Sequence, residues 1–122
     1  MSAGAVLPRV VGAAGLAWGA VLLARGDQVW RAVEGRAPDE VEQLATQVLG
    51  VRHQVQGLAQ LVAPRASGGV VVAVDVLHAS SMAALAVVSQ RHRRAALFTG
   101  GVALASAALT HASRGRQAAA RR

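Results

Sequence analysis

The chain has 122 residues, of which 53% are apolar and 16% charged, against roughly a quarter charged in an ordinary soluble domain. Its formal net charge is +7, but the arginines sit at the ends of apolar runs and form no stripe beside aromatics, so nucleic acid is not an expected partner. The absence of cysteine excludes disulfides, thiolate metal sites and cysteine nucleophiles.

All 13 basic residues are arginine. Isoleucine, asparagine and tyrosine are missing, a usage that fits a high-GC coding bias. Uncharged stretches alternate with the clusters Arg91, Arg93, Arg94 and Arg114, Arg116, Arg121, Arg122. That alternation is the pattern of membrane spans and loops.

Helix 1 is expected over residues 6–24. Residues 10–24 are uncharged, a run shorter than the roughly 20 residues a span needs, and residues 5–8 extend it if Arg9 snorkels. A signal peptide with Arg9 in its basic region is the alternative, and two further apolar runs downstream favour an uncleaved span. Gly15 and Gly19 have the GxxxG spacing that lets another helix approach closely. Residues 26–38 read as a polar connection with room for a short interfacial helix, and Trp30 suits the membrane–water boundary.

Helix 2 is expected over residues 40–63. Asp39 followed by Glu42 marks its start, with a carboxylate accepting from the first orphan amides. Its Glu42, Gln43, Gln47, Arg52, His53, Gln54, Gln56 and Gln60 are too many polar groups for a helix bathed in lipid all round. Leu44, Val48, Val51, Val55, Leu58 and Val62 nonetheless fall at spacings of four and three and form one apolar seam. The helix either spans with that seam outward or lies in the interface with the seam down.

A turn at 64–68 leads to helix 3, residues 69–90, whose only charge is Asp75 and which is long enough to span. The basic link Arg91-His92-Arg93-Arg94 leads to helix 4, residues 95–113, where Gly101 and Ala105 offer a second close-packing position. Residues 114–122 read as a basic, disordered tail. Four spans place Arg9, Arg65 and the four tail arginines on one side, against Arg25, Arg31, Arg36, Arg91, Arg93 and Arg94 on the other. Arginine count alone therefore sets no orientation.

Arg52, His53 and Gln56 on helix 2, with Asp75 and His78 on helix 3, put ionisable and polar groups at membrane depth. A charge there costs roughly 2.5–3.5 kcal/mol on insertion scales, which makes each a functional candidate that needs a partner. Asp75, His78 and Met82 share one face of helix 3. Counting outward from the turn at Pro64, an antiparallel pair sets His53 level with His78 and Gln56 level with Asp75. Arg52 lies deeper, so Asp75 is expected to pair with Gln56 or His53, and with Arg52 only if the arginine folds back. Ser80 and Ser81 are expected to bond back to their own backbone, and His92 and His111 to be interfacial.

The strings Leu49-Gly50-Val51-Arg52-His53-x-x-Gln56 and Val74-Asp75-x-Leu77-His78-Ala79-x-Ser81-Met82, with Arg93-Arg94-Ala95-Ala96-Leu97 after them, resemble a family of small, uncharacterised four-helix integral membrane proteins of actinobacteria. The resemblance runs from about helix 1 to helix 4. It implies a membrane protein with these polar residues as its signature, and it implies no activity.

The expectation is an all-α membrane helical bundle over residues 1–113, with four transmembrane helices, or three if helix 2 is interfacial, in the cell membrane. No catalytic residue, metal site or cofactor is expected. The favoured role is a non-enzymatic accessory or interaction protein with a structural polar cluster, whose partners are the lipid bilayer and another membrane protein or a second copy. Alternatives are a minimal proton-coupled or small-solute transporter, and a membrane-embedded enzyme or metal-binding protein, for which two imidazoles and a carboxylate are the candidate ligands.

Overall fold

Four helices account for nearly all of residues 3–122, which the computed structural model describes: α1 (Ala3–Glu34), α2 (Glu40–Val62), α3 (Pro64–Val88) and α4 (Arg93–Ala119). The connections are short, and contacts such as Gly19 with Gly50, Gln56 with Asp75 and His78 with Thr99 show that each helix runs antiparallel to the one before it. α1, α3 and α4 are long and apolar enough to cross a membrane; α2, with 23 residues, is not among them.

Three boundaries differ from the sequence expectation. The first helix does not end at 24 but continues through a kink at Arg25 (φ −134°, ψ 24°) to Glu34. The reason lies in Val29, Trp30 and Val33, which recur at helical spacing and line an interior cleft with Thr46 and Leu49 of α2 and Phe98 of α4. The helix stops at Gly35, whose φ of 74° is the left-handed conformation that glycine adopts without steric cost. α3 begins at Pro64 rather than 69, with proline in the first turn, where its missing N–H is not needed. α4 continues past 113 to Ala119, and the Arg114 stem packs over Gly68 of α3.

At the start of α2 the expected cap is present. Asp39 Oδ1 accepts from the Glu42 amide at 2.8 Å and Glu42 Oε2 accepts from the Asp39 amide at 2.8 Å, a reciprocal capping box.

Small residues set how closely the helices approach. A Cβ on Gly12 would stand 2.7 Å from the Gly57 carbonyl oxygen, one on Gly57 would stand 2.5 Å from that of Gly12, and one on Gly19 would stand 2.8 Å from that of Gly50. The α1–α2 contact is thus backbone against backbone, and Gly19 of the GxxxG pair serves it inside the chain. α3 and α4 meet through Ala79, Ala86, Ala96, Gly100, Ala103 and Ala107, all buried. The expected close-packing pair on α4 is displaced by one position: Gly100 meets Met82 and Ala79, whereas Gly101 and Ala105 face outward. α2 and α3 approach each other much less closely than either of these pairs, and long polar side chains cross the space between them.

Candidate functional site

The sidedness of α2 builds the site. Leu44, Val48, Val51, Val55, Leu58 and Val62 are all outward, between 53% and 75% exposed. Arg52, His53, Gln54, Gln56 and Gln60 consequently project to the other side, as the 3.6-residue period requires. Each of the three glutamines then bonds a different helix. Gln54 Nε2 donates to the Leu16 carbonyl of α1 at 2.7 Å, Gln56 Nε2 to Asp75 Oδ1 of α3 at 2.8 Å, and Gln60 Nε2 to Thr110 Oγ1 of α4 at 3.1 Å.

Asp75 is the centre of the polar layer and is 0% exposed. Of its two expected alternatives, Gln56 takes Oδ1. Arg52 folds back as well, placing Nη1 3.5 Å from the same oxygen, an ion pair too long and misaligned to be a hydrogen bond. The second carboxylate oxygen, Oδ2, is buried and has no donor among the described residues. All three guanidinium nitrogens of Arg52 are likewise buried without an acceptor. Buried polar atoms are nearly always satisfied, so four such atoms in one layer set it apart from ordinary packing.

His53, the other expected partner of Asp75, makes no hydrogen bond to it, and the two imidazoles, which the count from Pro64 set level, go separate ways. His78 Nε2 turns to Thr99 Oγ1 of α4 at 2.9 Å, because α3 packs on α4 far more closely than on α2. His53 is buried on α2. The charges of Arg52 and Asp75 act on both rings. Among the described residues no three of His, Asp and Glu come together as metal ligands would. Ser80 and Ser81 bond back to Val76 and Leu77, as expected for hydroxyls in an apolar helix.

Two cavities reach this layer from opposite ends of the bundle. One, about 280 Å³, runs from Leu7, Gln60 and Leu109 near the chain termini to Trp18, His53 and Val102. The other, about 310 Å³, runs from Glu42 and His92 at the loop end to Leu49, His78 and Thr99. His53 and Gln56 border the first, His78 the second, and Asp75 and Arg52 border neither.

A second node, at the loop end, was not read as a site from the sequence. Glu42 accepts from both terminal nitrogens of Arg36 at 2.8 Å and from His92 Nε2 at 2.9 Å, with Arg91 Nε at 3.5 Å. It thereby ties the α1–α2 loop to the α3–α4 loop. The Arg36 guanidinium, with its two hydrogen bonds, holds the Glu42 carboxyl well below the usual carboxylate range, and Glu42 in turn raises Arg36. Arg36 also lies over the Trp30 ring, 5.6 Å from its centroid. Glu34 Oε1 accepts from the Ala95 amide at 2.6 Å, serving the start of α4, which has no side-chain cap of its own. Asp39-x-x-Glu42 was the one visible signal of this node, since nothing in a single sequence brings His92 to it.

No family model matches the chain, and no curated protein or solved structure is similar to it.

Proposed function

We propose that this chain is a small four-span integral protein of the cell membrane, acting by interaction rather than catalysis, with an interior polar network that holds its helices in register. The carrying observation is that α2 turns an unbroken apolar seam outward while its three inward glutamines each bond a different helix. A helix lying in the interface would leave those groups to water. Residues 44–62 of α2, at 1.5 Å per residue, extend about 28 Å, close to the roughly 30 Å hydrocarbon core. Lipid covers the seam, and the outer face of α4 with Gly101 and Ala105 is where another membrane protein or a second copy would pack. The likeness to a small actinobacterial membrane family rests on the sequence strings and agrees with this reading.

Carboxylate placement breaks the tie in arginine count. Arg9, Arg65, Arg114, Arg116, Arg121 and Arg122 share the terminal end with no acidic residue, while Asp27, Glu34, Asp39, Glu40 and Glu42 all lie at the loop end with the other six outer arginines. The terminal end is therefore the more positive of the two, and we assign it to the anionic cytoplasmic surface, where each arginine without a neighbouring carboxylate contributes about 1 kcal/mol.

Single cysteines in the cysteine-free chain test both statements. Probes at Ala37 and Gln90 are expected to label from outside intact cells, and probes at Ala66 and Ala118 only after the membrane is opened. Labelling of Ala66 together with Ala37 overturns the fourth span, and the reversed pattern overturns the orientation. A second activity, passage of protons or small solutes, is favoured by the two cavities that end on the polar layer.

A further inference from the structure

We propose that Asp75 is a proton-exchange site fed from the two ends of the bundle through the cavities that stop at His53 and at His78, and that the chain thereby passes protons across the membrane. The inference rests on the four-span reading, which places the cavities on opposite sides of the bilayer.

Three features of the layer define its chemistry. Asp75 is fully buried, yet among the described residues only one of its oxygens has a donor: Gln56 occupies Oδ1, and Oδ2 has none. Oδ2 is therefore the atom that accepts the proton. The guanidinium of Arg52, 3.5 Å from Oδ1 and otherwise unbonded, supplies a fixed positive charge beside the carboxylate. An arginine suits that post because its own proton does not leave.

The route has two halves. At the loop end, Glu42 and His92 border the larger cavity, whose walls are otherwise mainly apolar and whose inner end is His78. On the terminal side, Gln60 and Ser106 are polar marks along the smaller cavity, whose inner end is His53. Both imidazoles feel the charges of Arg52 and Asp75, and an imidazole can take a proton on one nitrogen and release one from the other. The groups that face Asp75 are Arg52 and His53 from α2 and His78 from its own helix. α4 offers the neutral Thr99 to the layer, and the charged residues of α1 all lie toward its ends.

The step balances without a further reactant. A proton reaching the layer through one cavity forms an O–H bond at Asp75 Oδ2, which neutralises the carboxylate and leaves Arg52 uncompensated. That bond then breaks toward the other cavity, the proton passes to water there, and the carboxylate pairs with Arg52 again. Asp75 borders neither cavity, so the two halves are joined only through movement of the flanking imidazoles, and the path is a gated exchange and not an open pore.

The test uses the purified full chain in liposomes of zwitterionic and anionic phospholipid, with a pH-sensitive dye inside and a potassium diffusion potential as the driving force. Wild type should acidify or alkalinise the lumen, following the sign of the potential, faster than protein-free liposomes. Asp75→Asn should lose that flux while keeping wild-type helicity and the four-probe labelling pattern. His78→Gln, on a cavity wall, should slow the flux with the fold intact, which covers the case that Asp75→Asn fails to fold. Wild-type flux equal to that of protein-free liposomes, with labelling that reports four spans, overturns proton passage alone. Unchanged flux in folded His78→Gln or Asp75→Asn overturns this route. Labelling of Ala37 and Ala66 on one side removes the four-span reading and this inference together.

Discussion

α2 packs against its two sequence neighbours by opposite means. Toward α1 it presents Gly50 and Gly57, and the two backbones come so close that a single added Cβ would meet a carbonyl oxygen. Toward α3 it presents Arg52 and Gln56, whose long side chains cross a wider space to the one carboxylate of Asp75. In lipid, close approach gains dispersion along a whole helix face but no directional information, whereas a few polar bonds fix register and leave the spacing loose. One contact should therefore be sensitive to volume and the other to charge.

The largest expected effect comes from removing charge at the wide contact. Arg52→Leu leaves Asp75 without its counter-ion and should cost about 3–5 kcal/mol, as for other broken buried pairs, while Arg52→Leu with Asp75→Leu should recover most of that loss. Unfolding in mixed detergent micelles reads both variants. Equal destabilisation by the single and the double change would mean that the two side chains act through volume and not as a pair.

Next in size is a volume change at the close contact. Gly57→Ala places its Cβ 2.5 Å from the Gly12 oxygen and 2.9 Å from the Leu16 nitrogen, both backbone atoms that cannot turn aside. The cost expected of such overpacking is about 1–3 kcal/mol, despite alanine's better helix propensity. Gly101→Ala, with nothing within 4 Å of the added methyl, should be neutral or slightly stabilising. A neutral Gly57→Ala would dissolve the contrast between the two contacts.

At the loop end the same contrast takes a pH-dependent form. Glu42 is held ionised in the folded chain by Arg36 and His92, so it binds a proton less readily there than in the unfolded chain. Its contribution is present above the ordinary carboxylate value of 4.5 and is lost as pH falls below it. Thermal stability should drop on acidification through that range, and Glu42→Gln should flatten the drop while lowering stability at neutral pH. An unchanged acid slope in the variant would assign the pH dependence elsewhere.

Much of this arrangement was legible in the sequence, and what was missed has a common cause. The seam of Leu44 to Val62 and the cap at Asp39 follow from local period, and counting outward from one turn narrows the partner of Asp75 to Gln56 or His53, of which Gln56 is the one bonded. Contacts that depend on which helices lie closest did not follow. His78 bonds Thr99 of α4, and Gly100 rather than Gly101 faces α3, because each outcome depends on helix rotations that no local pattern records. The first helix extends past its expected end for a related reason. Asp27, Arg31 and Glu34 read as loop, yet Val29, Trp30 and Val33 between them have interior neighbours that only the folded chain supplies.

The smallest expected effect bears most directly on whether α2 spans. Gln60 and Thr110 are both buried and both neutral, and their bond joins α2 to α4 away from the charged layer. Because neither group can be rescued by a proton, a double-mutant cycle with Gln60→Met and Thr110→Val isolates one interhelical hydrogen bond, and its coupling should be about 0.6 kcal/mol, the mean for such bonds in membranes. A helix 2 lying in the interface would give Gln60 water in place of Thr110, so the coupling would vanish and Gln60→Met alone would be neutral or stabilising. A measurable coupling there, beside an intact Gln56–Asp75 contact, means that the polar face of α2 is held along its whole length and not only where charge demands it.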